Sequence, residues 1–213
     1  MSFMLVIMHD SLIMHNYSGH TQAALAAMLS LPYAASAAAG ETYLLEKSHA
    51  DLLFSIDHAG FSEKHGSFRE FDGTLYYDTT RPEDSWIKVT VKTESLDTAL
   101  PARDKDVTGD TFLDVARYPQ MQFESTKVTP EAGGTLRVEG NLTLHGITRP
   151  LALKAKLNKE GQNPFDHKPT LGFSATGSLR RSDFGMTRFL PMIGDIVSIT
   201  IEVEFNRPTK NAQ

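Results

Sequence analysis

The chain has 213 residues, of which 40% are hydrophobic and 22% charged. That balance fits a globular protein and excludes a disordered chain or a bundle of membrane-spanning helices. The formal net charge of −5 argues against non-specific nucleic-acid binding, which needs a basic surplus to displace counterions. With no cysteine, thiol catalysis, disulfides, zinc fingers and iron–sulfur clusters are all excluded.

The first 39 residues are a different kind of sequence. All 21 basic residues lie beyond them, and Asp10 is their one acid. Ala23 to Ala39 reads AALAAMLSLPYAASAAA, a short apolar run followed by small residues. The Ala35-Ser36-Ala37 and Ala37-Ala38-Ala39 triplets suit signal-peptide cleavage, which leaves about 175 residues. Pro32 and Ser36 interrupt the run, which is too short for a stable transmembrane anchor. The basic segment that usually precedes such a run is missing, and Met8, Met14 and Met28 are alternative starts. Residues 1–39 are thus expected to be a signal peptide, and residues 40–213 one domain.

Beyond residue 40 the dominant signal is alternation, which puts successive side chains on opposite faces of a strand. Shorter candidate strands lie at Thr42–Lys47, Gly73–Thr79 and Met121–Val128. Leu52, Phe54 and Ile56 form one apolar set; Ile87, Val89 and Val91 form another. The segment Thr108–Arg117 is the best helix candidate, with Thr108 as N-cap and Pro119 as stop. Leu136, Val138, Gly140, Leu142 and Leu144 alternate with polar residues, as do Leu151, Leu153, Ala155 and Leu157. Leu171, Phe173, Ala175, Gly177 and Leu179 follow. Phe184–Asp195 reads as a long loop or a short helix. Val197, Ile199, Ile201, Val203 and Phe205 make the clearest set of all. Hairpin loops are expected between Val128 and Leu136 and between Leu157 and Leu171.

Eight or more one-sided strands must bury their apolar faces, so the fold class is all-β, a sandwich or a closed antiparallel barrel. A barrel of about eight strands either fills with side chains or holds one small ligand. The small residues Gly140, Ala155, Ala175 and Gly177 on the apolar face favour spare volume, whereas bulky neighbours favour a filled interior. Periodicity leaves both open.

The motifs of the chain carry little chemistry. His49 and His58 stand nine apart, and on one continuous strand they face opposite ways. No H-E-x-x-H, G-x-S-x-G or phosphate-binding glycine loop is present. His65, His145 and His167 read as surface or turn residues. No catalytic or metal-binding residue is expected.

Four ordered blocks resemble the YceI-like family of lipocalin-like barrels. In residues 43–75 the matching residues are Glu46, His49, Phe54-Ser55-Ile56, His58, Gly66, Phe68, Phe71 and Gly73. In residues 102–126 they are Arg103, Phe112, Asp114, Tyr118-Pro119, Phe123 and Ser125. The others are GNLTLHGITRPLAL at 140–153 and LGFSATGSLRRSDFGM at 171–186, with Arg181-Ser182-Asp183-Phe184-Gly185 matching best. One departure is Asp106-Val107, where family members often carry His-Leu.

The resemblance implies an antiparallel lipocalin-like barrel of about eight strands, with one short helix and a long loop near its mouth. It implies an exported, periplasmic or secreted binding protein linked to stress, not an enzyme. The interior is expected to hold an isoprenoid lipid, either a prenyl quinone or a polyprenyl phosphate. Phe54, Ile56, Val89, Phe123, Leu142, Leu153, Phe173 and Ile201 are the expected tunnel walls. His49, His58, Arg103, Asp114, Arg181 and Asp183 are the expected mouth residues. There, Arg103 or Arg181 meets the polar head, or these charges tie loops to the barrel, for example Arg181 with Asp183 or Asp114. A transient membrane contact fits such cargo, and the oligomeric state is open, a dimer included. The competing readings are an enzyme with His58, Arg103 and Asp183 gathered at the mouth, or an interaction protein with a filled barrel.

Overall fold

The computed structural model of the protein describes residues 40–208. Ten strands follow in order: β1 Glu41–His58, β2 Ser62–Phe68, β3 Phe71–Tyr77, β4 Trp86–Lys92, β5 Leu96–Asp97, β6 Gln120–Glu131, β7 Thr135–Leu144, β8 Ile147–Gln162, β9 Pro169–Arg180 and β10 Ile193–Asn206. One helix, α1 Pro101–Thr108, lies between β5 and β6. All pairings are antiparallel, and β10 returns to pair with β1, which closes the sheet.

The ten strands make eight staves. The inner half of β1, residues 52–58, pairs with β2, and its first residues, 41–44, pair with β3. Likewise β3 pairs with β4 while β2 pairs with β5. So β2 with β3, and β4 with β5, are two staves that each break once. The breaks meet at Arg69-Glu70 and Thr93–Ser95, where Lys92 N–H donates to Glu70 O at 2.9 Å and Arg69 N–H to Ser95 O at 3.0 Å. An eight-stave barrel is the expected architecture.

The alternating sets account for the walls. Register pairs such as Ala155 with Ala175, Leu153 with Gly177 and Ile201 with Ala175 bring apolar side chains to one face. The β7–β8 hairpin turns on His145 and Gly146, whose φ values of 52° and 72° suit the two-residue turn that matches strand twist. The two longer hairpin loops lie where the turn residues put them.

Three expectations change. The helix comes earlier than Thr108–Arg117: Pro101 fills its first turn, Thr108 ends it and Gly109 caps it. Residues 109–118 form tight turns instead, with Asp114 at φ 45°. The segment SEKHGSF, which shows no alternation of apolar residues, is strand β2. Finally, Thr42–Lys47 and Leu52–Ile56 belong to one strand with a bulge: Leu45 pairs with Phe205, but Ala50 pairs with Val203. Glu46 anchors the bulge, accepting from Ser48 Oγ at 2.8 Å and Asn206 Nδ2 at 2.9 Å.

The expected signal peptide, residues 1–39, lies outside the described residues.

Candidate functional site

Strand directions define two ends. At one end, the mouth, lie His58, the start of β2, β5, α1, the β7–β8 turn and the start of β10. At the other, the floor, a buried cluster of Tyr43, Leu75, Tyr77, Leu171, Phe173 and Phe205 fills the barrel. Tyr77 and Phe205 both meet Phe173 edge-on, with ring centroids 5.6 and 6.5 Å away.

Above this floor the barrel is hollow. A cavity of about 540 Å³ runs between the walls, within the range of sites that bury most of a small ligand. Phe54 and Ile56 line it from β1, Val89 from β4, Phe123 from β6, Leu142 from β7, Leu153 from β8, Phe173 from β9 and Ile201 from β10. Every tunnel residue read from alternation therefore faces the cavity. The paired Ala155 and Ala175 also line it.

The small residues do not all give up volume. A Cβ on Gly140 would lie 2.6 Å from the Phe123 ring, and one on Gly177 would lie 2.6 Å from Leu153 Cδ2. A Cβ on Gly66 would strike the ring of Phe54, its direct cross-strand partner. These glycines make room for wall side chains to lie flat. The two alanines are what keep the centre open.

The mouth residues divide. His58, Arg103 and Arg181 line the cavity; His49, Asp114 and Asp183 do not. His49 sits in the β1 bulge, with Nδ1 3.9 Å from Glu204 Oε2, in the half of the strand that runs to the floor. The bulge, which single-strand counting does not anticipate, separates it from His58. Asp114 is a buried turn residue, its carbonyl accepting from Arg117 N–H at 3.0 Å and Tyr118 N–H at 2.9 Å. Asp183 is exposed on the outer wall, in a groove beside Arg180 and Phe184.

Arg181 pairs with neither Asp183 nor Asp114. It is 3% exposed, and its guanidinium donates to the carbonyls of Met186 at 2.7 Å, Gly194 at 2.8 Å and Ile193 at 2.9 Å. Burial pushes its pKa below the ordinary arginine value, with Asp195 opposing. Arg181 thus staples the 186–194 loop to the barrel. Asp195 holds the same corner, accepting from Ser182 N–H at 2.9 Å and Ser182 Oγ at 2.8 Å.

Arg103 is different. Its Nε is buried without an acceptor, and no carboxylate among the described residues forms an ion pair with it. A buried donor without a partner is costly and calls for one.

The short helix and long loop expected near the mouth form a cap over it, whose apolar cavity-lining residues were not among the expected site residues. Val107, Phe112, Leu113, Met186 and Phe189 close the cavity from α1 and the loops, and Phe112 lies 6.2 Å from Phe189 between centroids. Their only signal was isolated apolar residues in polar loops. Asp106 and Val107, the departure from the family pattern, both line the cavity.

An eight-stave antiparallel barrel, closed at its floor and hollow beneath a helical cap, defines a lipocalin-like barrel. The chain belongs to the YceI-like family, whose domain it matches over residues 43–205. It is 43% identical over 166 residues to the UPF0312 protein of Pseudomonas savastanoi pv. phaseolicola, covering 77% of this chain and 85% of that one. A crystal structure of the Campylobacter jejuni YCEI protein superposes with a TM-score of 0.64 at 28% identity, covering 72% of this chain and 91% of that one. A polyisoprenoid binding domain from Saccharophagus degradans shares the fold at a TM-score of 0.58 and 14% identity, covering 78% of this chain and 98% of that one.

Proposed function

We propose that this protein binds an isoprenoid lipid, a prenyl quinone or a polyprenyl phosphate, and carries or sequesters it without chemical change. The observation that carries this reading is the hollow, apolar-walled barrel beneath its cap. The family, and the fold neighbour that is a polyisoprenoid binding domain, support it. The tail lies among Phe54, Val89, Phe123, Leu153 and Ile201, and the head group meets Arg103, whose free Nε–H suits a carbonyl or phosphate oxygen. His58 stands at the same rim.

Affinity does not scale with tail length without limit. About 40 carbons at ~0.8 kcal/mol each sum to about 30 kcal/mol. That exceeds the non-covalent ceiling near ~20 kcal/mol, so ordering of the chain and incomplete burial offset much of it.

The enzyme reading required His58, Arg103 and Asp183 around one cavity. Asp183 lies on the outer wall, which supports the binding reading instead. The reading also places the protein in the periplasm or outside the cell, on the strength of residues 23–39. N-terminal sequencing of exported material tests that part.

Protein purified from a membrane-bearing host is extracted with organic solvent and also weighed intact by native mass spectrometry. A prenyl lipid released on extraction, with reuptake of a prenyl quinone by the emptied protein, is the expected result. Absence of bound lipid together with absence of reuptake would refute the reading.

A further inference from the structure

The mouth is apolar on its outside as well as its inside. Phe61, at the tip of the β1–β2 turn, is 89% exposed, and Met192 is 61% exposed. Their two loops are joined at the rim, because Ala59 N–H donates to Met192 O at 2.7 Å. Phe189, in the same loop as Met192, is 47% exposed, as is Leu100 just before α1. Phe189 is also part of the cavity wall, so the exposed rim adjoins the cavity. The guanidinium of Arg188 stacks over Phe189 at 4.5 Å, a pairing that keeps a charge at the level of the ring face.

The charges nearby say what kind of surface this rim fits. In segments 57–65, 98–112 and 180–195, six basic side chains face seven acidic ones. A rim so balanced has no field to draw it to a strongly charged partner. What remains is apolar insertion, with large side chains presented at a mouth through which an apolar molecule passes. Passing a prenyl tail through water exposes ~0.8 kcal/mol per methylene, whereas a mouth pressed to a bilayer avoids that exposure.

We propose that the mouth rim docks on the surface of a lipid bilayer, with Phe61 and Met192 inserted at the boundary between head groups and acyl chains. This rests on the lipid-binding reading, since the cargo argues for the occupant. The binding is driven by apolar burial, so it needs no anionic lipid and survives salt. Neither Phe61 nor Met192 lines the cavity, so they can be changed without touching the tail site.

The test uses the full chain and phosphatidylcholine vesicles. Wild-type protein floats with the vesicles at low and high salt, and the Phe61→Asp, Met192→Asp double variant loses binding tenfold or more. That variant still takes up a prenyl quinone from detergent. Trp86 is the only tryptophan and lies toward the floor, stacked on Tyr76 at 6.1 Å. In a Phe61→Trp variant, brominated lipids therefore quench the new indole and spare the old one. Three results overturn the proposal: no flotation of wild-type protein, flotation only with anionic lipid at low salt, or a wild-type dimer that the double variant splits. Wild-type protein that floats but takes up no quinone refutes the lipid-binding reading and leaves the docking surface standing.

Discussion

Replacing Ala175 with phenylalanine separates a hollow barrel from a filled one by the sign of a stability change. Ala175 faces the cavity from β9, in register with Ala155 on β8 and Ile201 on β10. In a filled interior a phenylalanine here would overpack it and cost about 1–3 kcal/mol. In the structure its ring enters a space of about 540 Å³. Burial of such a ring stabilises by about 1.5–3 kcal/mol, less what is lost in rotamer freedom, so a net gain of roughly 1 kcal/mol follows. The same ring stands where the prenyl tail would run, so uptake falls tenfold or more. The assay is urea unfolding of delipidated protein, because bound ligand would itself stabilise the native state. A quinone-uptake titration runs alongside. Destabilisation by 1 kcal/mol or more, or unchanged uptake, would refute the reasoning.

Arg181→Lys should destabilise the barrel by about 2–4 kcal/mol in chemical denaturation, since one ammonium cannot serve three carbonyls; a folded variant should keep its uptake, as a staple and not a head-group ligand would. Gly140→Ala should cost about 1–3 kcal/mol or more in urea unfolding, because its methyl would meet the backbone carbonyl of Glu124 as well as the Phe123 ring, and a Phe123→Leu change alone should not restore the stability. Acid stability should report on Asp195: burial pushes its carboxyl up, but hydrogen bonds from Ser182 and Arg180 outweigh that and hold it below the usual carboxylate value. A lowered folded pKa contributes stability above the unfolded value near ~3.9, lost as pH falls through the folded one. Thermal midpoints of the wild type should therefore drop more steeply below about pH 4 than those of Asp195→Asn, and equal slopes would count against the assignment.

The sequence was legible where one face of a strand meets one kind of surroundings along its whole length. β7 to β10 are such strands, and their apolar positions could be read by counting in twos. β2 could not. Its inward positions are Lys64, Gly66 and Phe68, the partners of Ile56, Phe54 and Leu52. Lys64 faces the mouth, and the Phe54 ring occupies the space a side chain at Gly66 would need, so the apolar content of that stave sits on its neighbour. The helix was misplaced for a related reason. Thr108 and Pro119 resemble a cap and a stop, but Gly109 and the positive φ of Asp114 break the segment between them, and Pro101 starts the helix earlier. Charged residues showed their chemistry but not their direction. Arg181 and Asp183 are two apart, yet a short helical turn at Arg181–Phe184 buries the first and exposes the second.

The same asymmetry shows where a cysteine-free barrel with a hollow centre concentrates its stability. From β6 through β10 to β1 the pairing runs in long ladders, and the floor cluster locks their lower ends. The opposite side of the barrel is where both broken staves lie, and their upper pieces, β2 and β5, share only the pairs Ser67–Asp97 and Phe68–Leu96. Above β5 the ladder gives way to α1, which contributes no buried residue. Arg181 holds the 186–194 side of the cap, but what ties down the α1 side is local: Asp104 Oδ1 accepts from Thr98 N–H at 2.8 Å, and the buried Thr93 donates through Oγ1 to Tyr118 O at 2.6 Å and through N–H to Pro119 O at 3.0 Å. Few buried contacts and short ladders mark the part of a protein that opens first. Stability is therefore concentrated in the continuous wall and the floor, away from the cap beneath which the cavity lies. The Thr93–Tyr118 tie consists of hydrogen bonds alone, with no covalent link to reinforce that side.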